Sequence, residues 1–311
     1  MKTKLKLFSK TMLFCIGLVS IQKVKAQSIN REEIIPLWNR RLPDGPGPGG
    51  EEVVNDKGSI KNISEPRLIV HLPAHPNGTA ILVISGGGYA YLNEGKESGP
   101  AANWLQSQGV VAFELIYRLP AEHWATSDVP FEDGQRAMRI IRGSALRFGY
   151  SEHKVGIMGF SAGGHLAAMI ETAPNKLFYK TIDDIDRLDA RPDFAVLLYP
   201  VITMLPPYNK TRSEKELLGQ YMDESLEKIY SPELHVDENT PPTFLAQSLD
   251  DPISPAENSK MMFATLQKYH VKSELHLFPI GGHGWGTGRV NSPAHKWLRL
   301  FKNWAKGNGF F

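Results

Sequence analysis

The sequence predicts an α/β fold, a mostly parallel central sheet with helices on both faces. Three observations predict it. Short runs rich in β-branched residues are apolar on both faces, longer segments of helical periodicity alternate with them, and no internal repeat or low-complexity tract breaks the pattern over 311 residues. Strands that are apolar on both faces are covered twice, as in a parallel sheet sandwiched between helices.

Strands are expected over 67–72, 80–85, 110–117, 154–159, 194–199, 243–248 and 274–278. Helices are expected over 130–148, where Ala137, Ile140, Ile141, Ala145 and Leu146 recur at helical spacing, and over 162–170 and 255–269. A last helix over 293–305 puts Trp297, Leu300, Phe301 and Trp304 on one apolar stripe. The run Arg41 to Gly50, Arg-Leu-Pro-Asp-Gly-Pro-Gly-Pro-Gly-Gly, holds neither helix nor central strand, because proline removes donors and glycine costs backbone entropy. Between two expected strands, 200–240 is irregular apart from a charged helical segment near Glu214 to Tyr221. Roughly 40 residues exceed an ordinary connection, which allows a small cap or none over a site at the sheet edge.

The first 26 residues read as a cleaved export leader. Lys2, Lys4, Lys6 and Lys10 precede an apolar stretch from Met12 to Ile21, and Val24-Lys25-Ala26 precedes Gln27. About ten apolar residues cannot cross a hydrocarbon core that needs roughly 20, so no stable membrane insertion is expected. Cys15, the one cysteine, lies within the leader, and Met12, Leu13 and Phe14 lack the small residues expected before a lipidated cysteine. A mature chain would then have neither thiol nor disulfide and would rely on an ordinary core. The expected organisation is a leader at 1–26, an N-terminal extension and loop at 27–60, and one catalytic domain at 61–311. A periplasmic or secreted location follows.

The whole chain has 35 basic and 33 acidic residues. Six lysines leave with the leader, so 29 cations face 33 carboxylates, a balance of −4. That surface has no excess of cations to track a phosphate backbone, and nucleic-acid binding is not expected.

Four motifs carry chemistry. In Gly159-Phe160-Ser161-Ala162-Gly163 a strand precedes the serine and a helix-forming run follows it. That context suits a nucleophile held on a tight turn, where glycine two residues to either side removes a collision with the backbone. The bare string arises by accident in roughly one chain of this size in ten, so its flanks carry the weight. Ser85-Gly86-Gly87-Gly88-Tyr89 follows the strand at 80–85, and its uncovered N–H groups suit an oxyanion. The candidate donors are Gly87, Gly88 and, after the nucleophile, Ala162; the alternative is a flexible glycine turn.

Phe278-Pro279-Ile280-Gly281-Gly282-His283-Gly284-Trp285 puts a histidine on a glycine loop beyond the last strand, free to meet a serine. The other nine histidines read as surface or satisfied core; His71 and His75 flank Pro73 and cannot share a helix face as zinc ligands. In Leu249-Asp250-Asp251-Pro252 two carboxylates compete to support that histidine. Register favours Asp251, Asp250 stays open, and turn chemistry before proline is the alternative for both. The order serine, aspartate, histidine is that of one hydrolase type.

With these residues in hand, the chain resembles the bacterial α/β-hydrolases related to acetyl xylan and feruloyl esterases, the BD-FAE-like carbohydrate esterases. The resemblance also rests on Ile35-Pro36-Leu37-Trp38, Tyr117-Arg118-Leu119, Asp133-Gly134-Gln135-Arg136-Ala137 and Glu257-Asn258-Ser259. It departs at Ser85, where related loops often have histidine; the donors are backbone groups and survive the change. The resemblance implies an α/β-hydrolase fold and removal of acetyl groups from plant polysaccharide fragments by an exported enzyme. Acylated carbohydrates or small esters would be its substrates.

The expected reaction is acyl transfer through Ser161, with His283 as base, Asp251 behind it, and no metal or organic cofactor. Tyr89 and Trp285, with Tyr91 beside them, are candidates to stack on sugar faces, although aromatic residues beside such glycines more often wall the pocket. Rival readings are a prolyl-oligopeptidase-like serine peptidase, an arylformamidase-like hydrolase, and a catalytically silent binding module on the same scaffold.

Overall fold

The computed structural model describes residues 32–38, 42–219 and 223–311. The leader, its cleavage point near Ala26, and Cys15 lie outside the described residues, as does Tyr221. In chain order the first elements are β1 (Glu32–Pro36), β2 (Val53–Val54), β3 (Ile60–Lys61), β4 (Arg67–His71), β5 (Ala80–Ile84), α1 (Ser98–Ser107) and β6 (Val111–Ile116). Then come α2 (Val129–Gly143), α3 (Ala145–Phe148), β7 (Val155–Phe160), α4 (Ala162–Thr172), β8 (Phe194–Leu198), α5 (Arg212–Leu218) and α6 (Glu224–Ile229). The chain ends with β9 (Thr243–Ser248), α7 (Glu257–Lys268), β10 (Ser273–Phe278) and α8 (Trp297–Gly307).

The main sheet has the order β1-β4-β6-β5-β7-β8-β9-β10, and β2 and β3 form a separate hairpin. From β6 to β10 every neighbouring pair is parallel, while β4 and β1 extend one edge by antiparallel pairing. All seven expected strands are present, each end within one residue of its expected place. The sequence pattern did not indicate β1, which pairs along its length with β4, nor α1.

Alternation along each strand divides the core in two. On β5, Leu82 and Ile84 face the layer that contains Met138 of α2, Leu166 of α4 and Leu266 of α7. Ile81 and Val83 face the opposite layer, with Leu105 of α1 and Trp297, Phe301 and Trp304 of α8. A period of two, covered on both sides, is why these strands read as continuous apolar runs.

One expected core position is wrong. Leu146 is 97% exposed, whereas Ala145 and Phe148 are buried. The helix breaks at Ser144, and α3 starts a new register in which position 146 points outward.

Three motif fragments meet in one buried polar cluster. Arg118 is fully buried and donates from Nε and Nη2 to Asp133 and from Nη2 to Glu132 at 2.8 Å, while Trp38 Nε1 donates to Asp133 at 2.7 Å. The guanidinium also lies 5.4 Å from the centre of the Trp38 ring. Desolvating a guanidinium costs several kcal/mol, and the paired carboxylates offset it. The cluster fastens the segment after β1 to α2 and to the end of β6.

Candidate active site

The serine of the β7–α4 turn has φ 53° and ψ −118°, a left-handed conformation that a residue with a side chain rarely adopts. Crowding enforces the turn. A Cβ on Gly159 would stand 2.1 Å from Gly163 O, and one on Gly163 would stand 2.4 Å from Ile84 O. Only glycine fits either position, so Ser161 is lifted at the end of the sheet with α4 beginning beneath it.

His283 comes from the loop after β10, and its Nε2 lies 2.7 Å from Ser161 Oγ. On its other side, His283 Nδ1 lies 2.7 Å from Asp251 Oδ2. Asp251 is buried in the loop after β9 and accepts from Gln247 Nε2 on Oδ2 and from the N–H groups of Ile253 and Ser254 on Oδ1. Asp250 serves a different group. Its Oδ1 accepts from the N–H groups of Gly281 and Gly282 at 2.9 and 2.8 Å, which fixes the loop that carries the histidine. The structure thus brings Ser161, His283 and Asp251 into one hydrogen-bonded line and leaves Asp250 outside it.

The glycine loop after β5 lies against the serine; a Cβ on Gly86 would be 2.7 Å from Ser161 Cβ. Gly86 N–H is used, donating to Glu97 Oε2 at 2.7 Å. Among the described residues, the N–H groups of Gly87, Gly88 and Ala162 have no acceptor. Three unpaired donors beside a hydroxyl suit a developing oxyanion.

Tyr89 does not line a sugar groove, contrary to the expectation from its position. It is 0% exposed, at a backbone φ of 59°, and its ring packs edge-on in the core against Tyr117 and Phe131. Tyr89 OH pairs with His165 Nδ1 at 2.8 Å, and His165 Nε2 pairs with Tyr230 O at 2.7 Å. Burial pushes His165 down to about 4, so it is neutral and donates from Nε2 to the carbonyl. Trp285 is partly exposed, and its ring packs 4.4 Å from that of Tyr199. The 200–240 segment reaches the site through Arg212, whose aliphatic stem lies against Gly88 and whose guanidinium sits 5.8 Å from the centre of the Tyr91 ring.

Two residues beside the site gave no signal in the sequence. Glu97 sits among charged neighbours in Asn93-Glu94-Gly95-Lys96-Glu97, a pattern that reads as a solvated turn, yet its carboxylate is buried. Tyr199 directly follows the apolar strand β8, and its OH donates to Glu97 Oε1 at 2.9 Å. Among the described residues no group of three or more His, Cys, Asp or Glu side chains could hold a metal ion, and no helix is long and apolar enough to cross a membrane.

Known proteins are similar to this chain. The BD-FAE family profile matches residues 68–266. An acetylxylan esterase of Xylanibacter ruminicola is 31% identical over 252 residues, 80% of this chain and 49% of that protein. Endo-1,4-beta-xylanase B of Butyrivibrio fibrisolvens is 33% identical over 213 residues, 66% of this chain and 32% of that protein. The chain thus spans about half, or less, of the length of these two relatives. The crystal structure of an acetyl ester-xyloside bifunctional hydrolase from Caldicellulosiruptor lactoaceticus superposes with a TM-score of 0.77 at 33% identity, covering 90% of this chain and 97% of that one.

Proposed function

This chain belongs to the BD-FAE family and has the α/β-hydrolase fold, and from that premise we propose that it is an exported serine esterase. In this reading it removes acetyl or other small acyl groups from plant polysaccharide or oligosaccharide esters such as acetylated xylan. The observation that carries the reading is the line of 2.7 Å contacts from Ser161 through His283 to Asp251, beside three unpaired N–H groups.

His283 takes the proton of Ser161 as the hydroxyl attacks the ester carbonyl, and Asp251 holds the ring in the tautomer that leaves Nε2 free to accept it. The oxyanion is received by the N–H groups of Gly87, Gly88 and Ala162, each worth about 3–4 kcal/mol to the transition state. The alcohol leaves with the proton from His283, and water then attacks the acyl-enzyme with the same imidazole as base. The sugar-ester substrate is supported by the descriptions of the xylan-acting relatives. Export is supported by the lysine-rich, apolar leader pattern.

The test compares the wild type with Ser161→Ala on acetylated xylan and p-nitrophenyl acetate. The variant is expected to lose at least about 1000-fold in turnover of both. Cleavage of Gly-Pro-p-nitroanilide in preference to the esters would move the assignment to the peptidases. No ester turnover by the wild type would leave the silent module.

A further inference from the structure

A carboxylate that takes no direct part in this reaction lies between the two loops that make the site. Glu97 is 2% exposed, immediately before α1. Its Oε2 accepts from Gly86 N–H at 2.7 Å and its Oε1 accepts from Tyr199 OH at 2.9 Å. Tyr199 OH in turn accepts from Gly286 N–H at 3.0 Å. The chain of bonds therefore starts at the residue before the candidate oxyanion donors and ends three residues beyond the imidazole. The Tyr199 ring also packs edge-on 5.0 Å from the His283 ring.

A buried carboxylate is costly, by several kcal/mol, when no cation accompanies it, and among the described residues Glu97 makes no ion pair. Burial pushes it above the ordinary carboxylate range, and the bonds from Gly86 and Tyr199 oppose that shift. Both oxygens act as acceptors, the role of the ionised form.

We propose that Glu97 is a positioning residue for ester hydrolysis, clamping the glycine loop and the histidine loop in register on either side of Ser161. The proposal rests on the reading of Ser161 and His283 as nucleophile and base. The clamp is stiff at the point that matters, since Gly86 is pressed against Ser161 and cannot shift without moving Gly87 and Gly88. The carboxylate also favours the imidazolium that forms during each step. Asp251 and Tyr199 face the imidazole as well, Lys96 lies beside Gly284, and Tyr117 is the other titratable neighbour that feels Glu97.

The experiment measures three quantities for the wild type, Glu97→Gln, Glu97→Asp and Tyr199→Phe: the rate at which a fluorophosphonate labels Ser161, kcat/KM for p-nitrophenyl acetate against pH, and the melting temperature. Glu97→Gln is expected to slow labelling and lower kcat/KM by roughly 10- to 100-fold, mostly in kcat. Loss of the charge is expected to move the acid limb of the profile to lower pH. Glu97→Asp restores the limb without restoring the full rate. Wild-type rates and an unmoved limb in Glu97→Gln would overturn the proposal, and so would a slower enzyme whose only other change is a lower melting temperature. If Glu97→Gln does not fold, Tyr199→Phe decides, because it breaks one arm only; slower labelling supports the clamp and wild-type labelling overturns it. A wild type that the fluorophosphonate does not label would bring down the esterase reading itself, and the clamp with it.

Discussion

His283 Nδ1 stands 2.7 Å from Asp251 Oδ2, although the adjacent Asp250 offers the same carboxylate one residue earlier in the chain. The difference is local. Asp251 is fixed by Gln247 Nε2 and by two backbone N–H groups, so one oxygen edge is aimed at the ring. Asp250 is turned outward and bonds to the backbone of Gly281 and Gly282.

The two carboxylates therefore predict different losses. Asp251→Asn removes the charge behind the imidazole and disturbs its tautomer, with an expected fall of about 10,000-fold in kcat. Asp250→Asn keeps an oxygen that can accept from the glycine loop, and its expected fall is within about 10-fold. Initial rates on p-nitrophenyl acetate measure both; the reverse order would reject the assignment of the acid.

Acid sensitivity should trace in part to His165. Its ordinary value is 6.5 and burial brings it to about 4, so between those limits the unfolded chain binds a proton that the folded protein refuses. Stability is then fully present above about 6.5 and declines as pH falls toward 4, by about 3 kcal/mol from this group. Urea unfolding from pH 4 to 7 should give a steeper loss for the wild type than for His165→Gln. Equal slopes would show that another group is responsible.

The turn at Ser161 should reject a single methyl group. A Cβ on Gly163 would meet Ile84 O at 2.4 Å and Ser85 O at 2.5 Å, both backbone atoms that cannot move aside cheaply. Gly163→Ala is expected to cost more than about 4 kcal/mol, among the largest effects of single substitutions. At Gly307 a Cβ would meet nothing within 4 Å, and Gly307→Ala near the end of α8 should be neutral or stabilising by up to about 1 kcal/mol. Thermal unfolding separates the two, and a Gly163→Ala protein that melts with the wild type would refute the crowding argument.

The central strands β5 to β9 were legible in the sequence because both their faces are buried, which leaves unbroken apolar runs such as Ala80 to Ile84. The edge strand β1 was not legible, since Glu32-Glu33-Ile34-Ile35-Pro36 is charged at one end and Ile34 is exposed. Helix α1 was hidden by its opening Ser-Gly-Pro-Ala-Ala, which reads as a turn. Position along the chain located Tyr89 beside the site, but the direction of its ring follows from tertiary packing against Tyr117, Phe131 and His165, which no local pattern encodes. Glu97 needed the fold, because only pairing brings Gly86, Tyr199 and Gly286 around it.

Ser161 occupies a backbone state that costs a residue with a side chain about 1–3 kcal/mol, and glycine would relieve it. The backbone at this one position is therefore less robust than the scaffold around it permits.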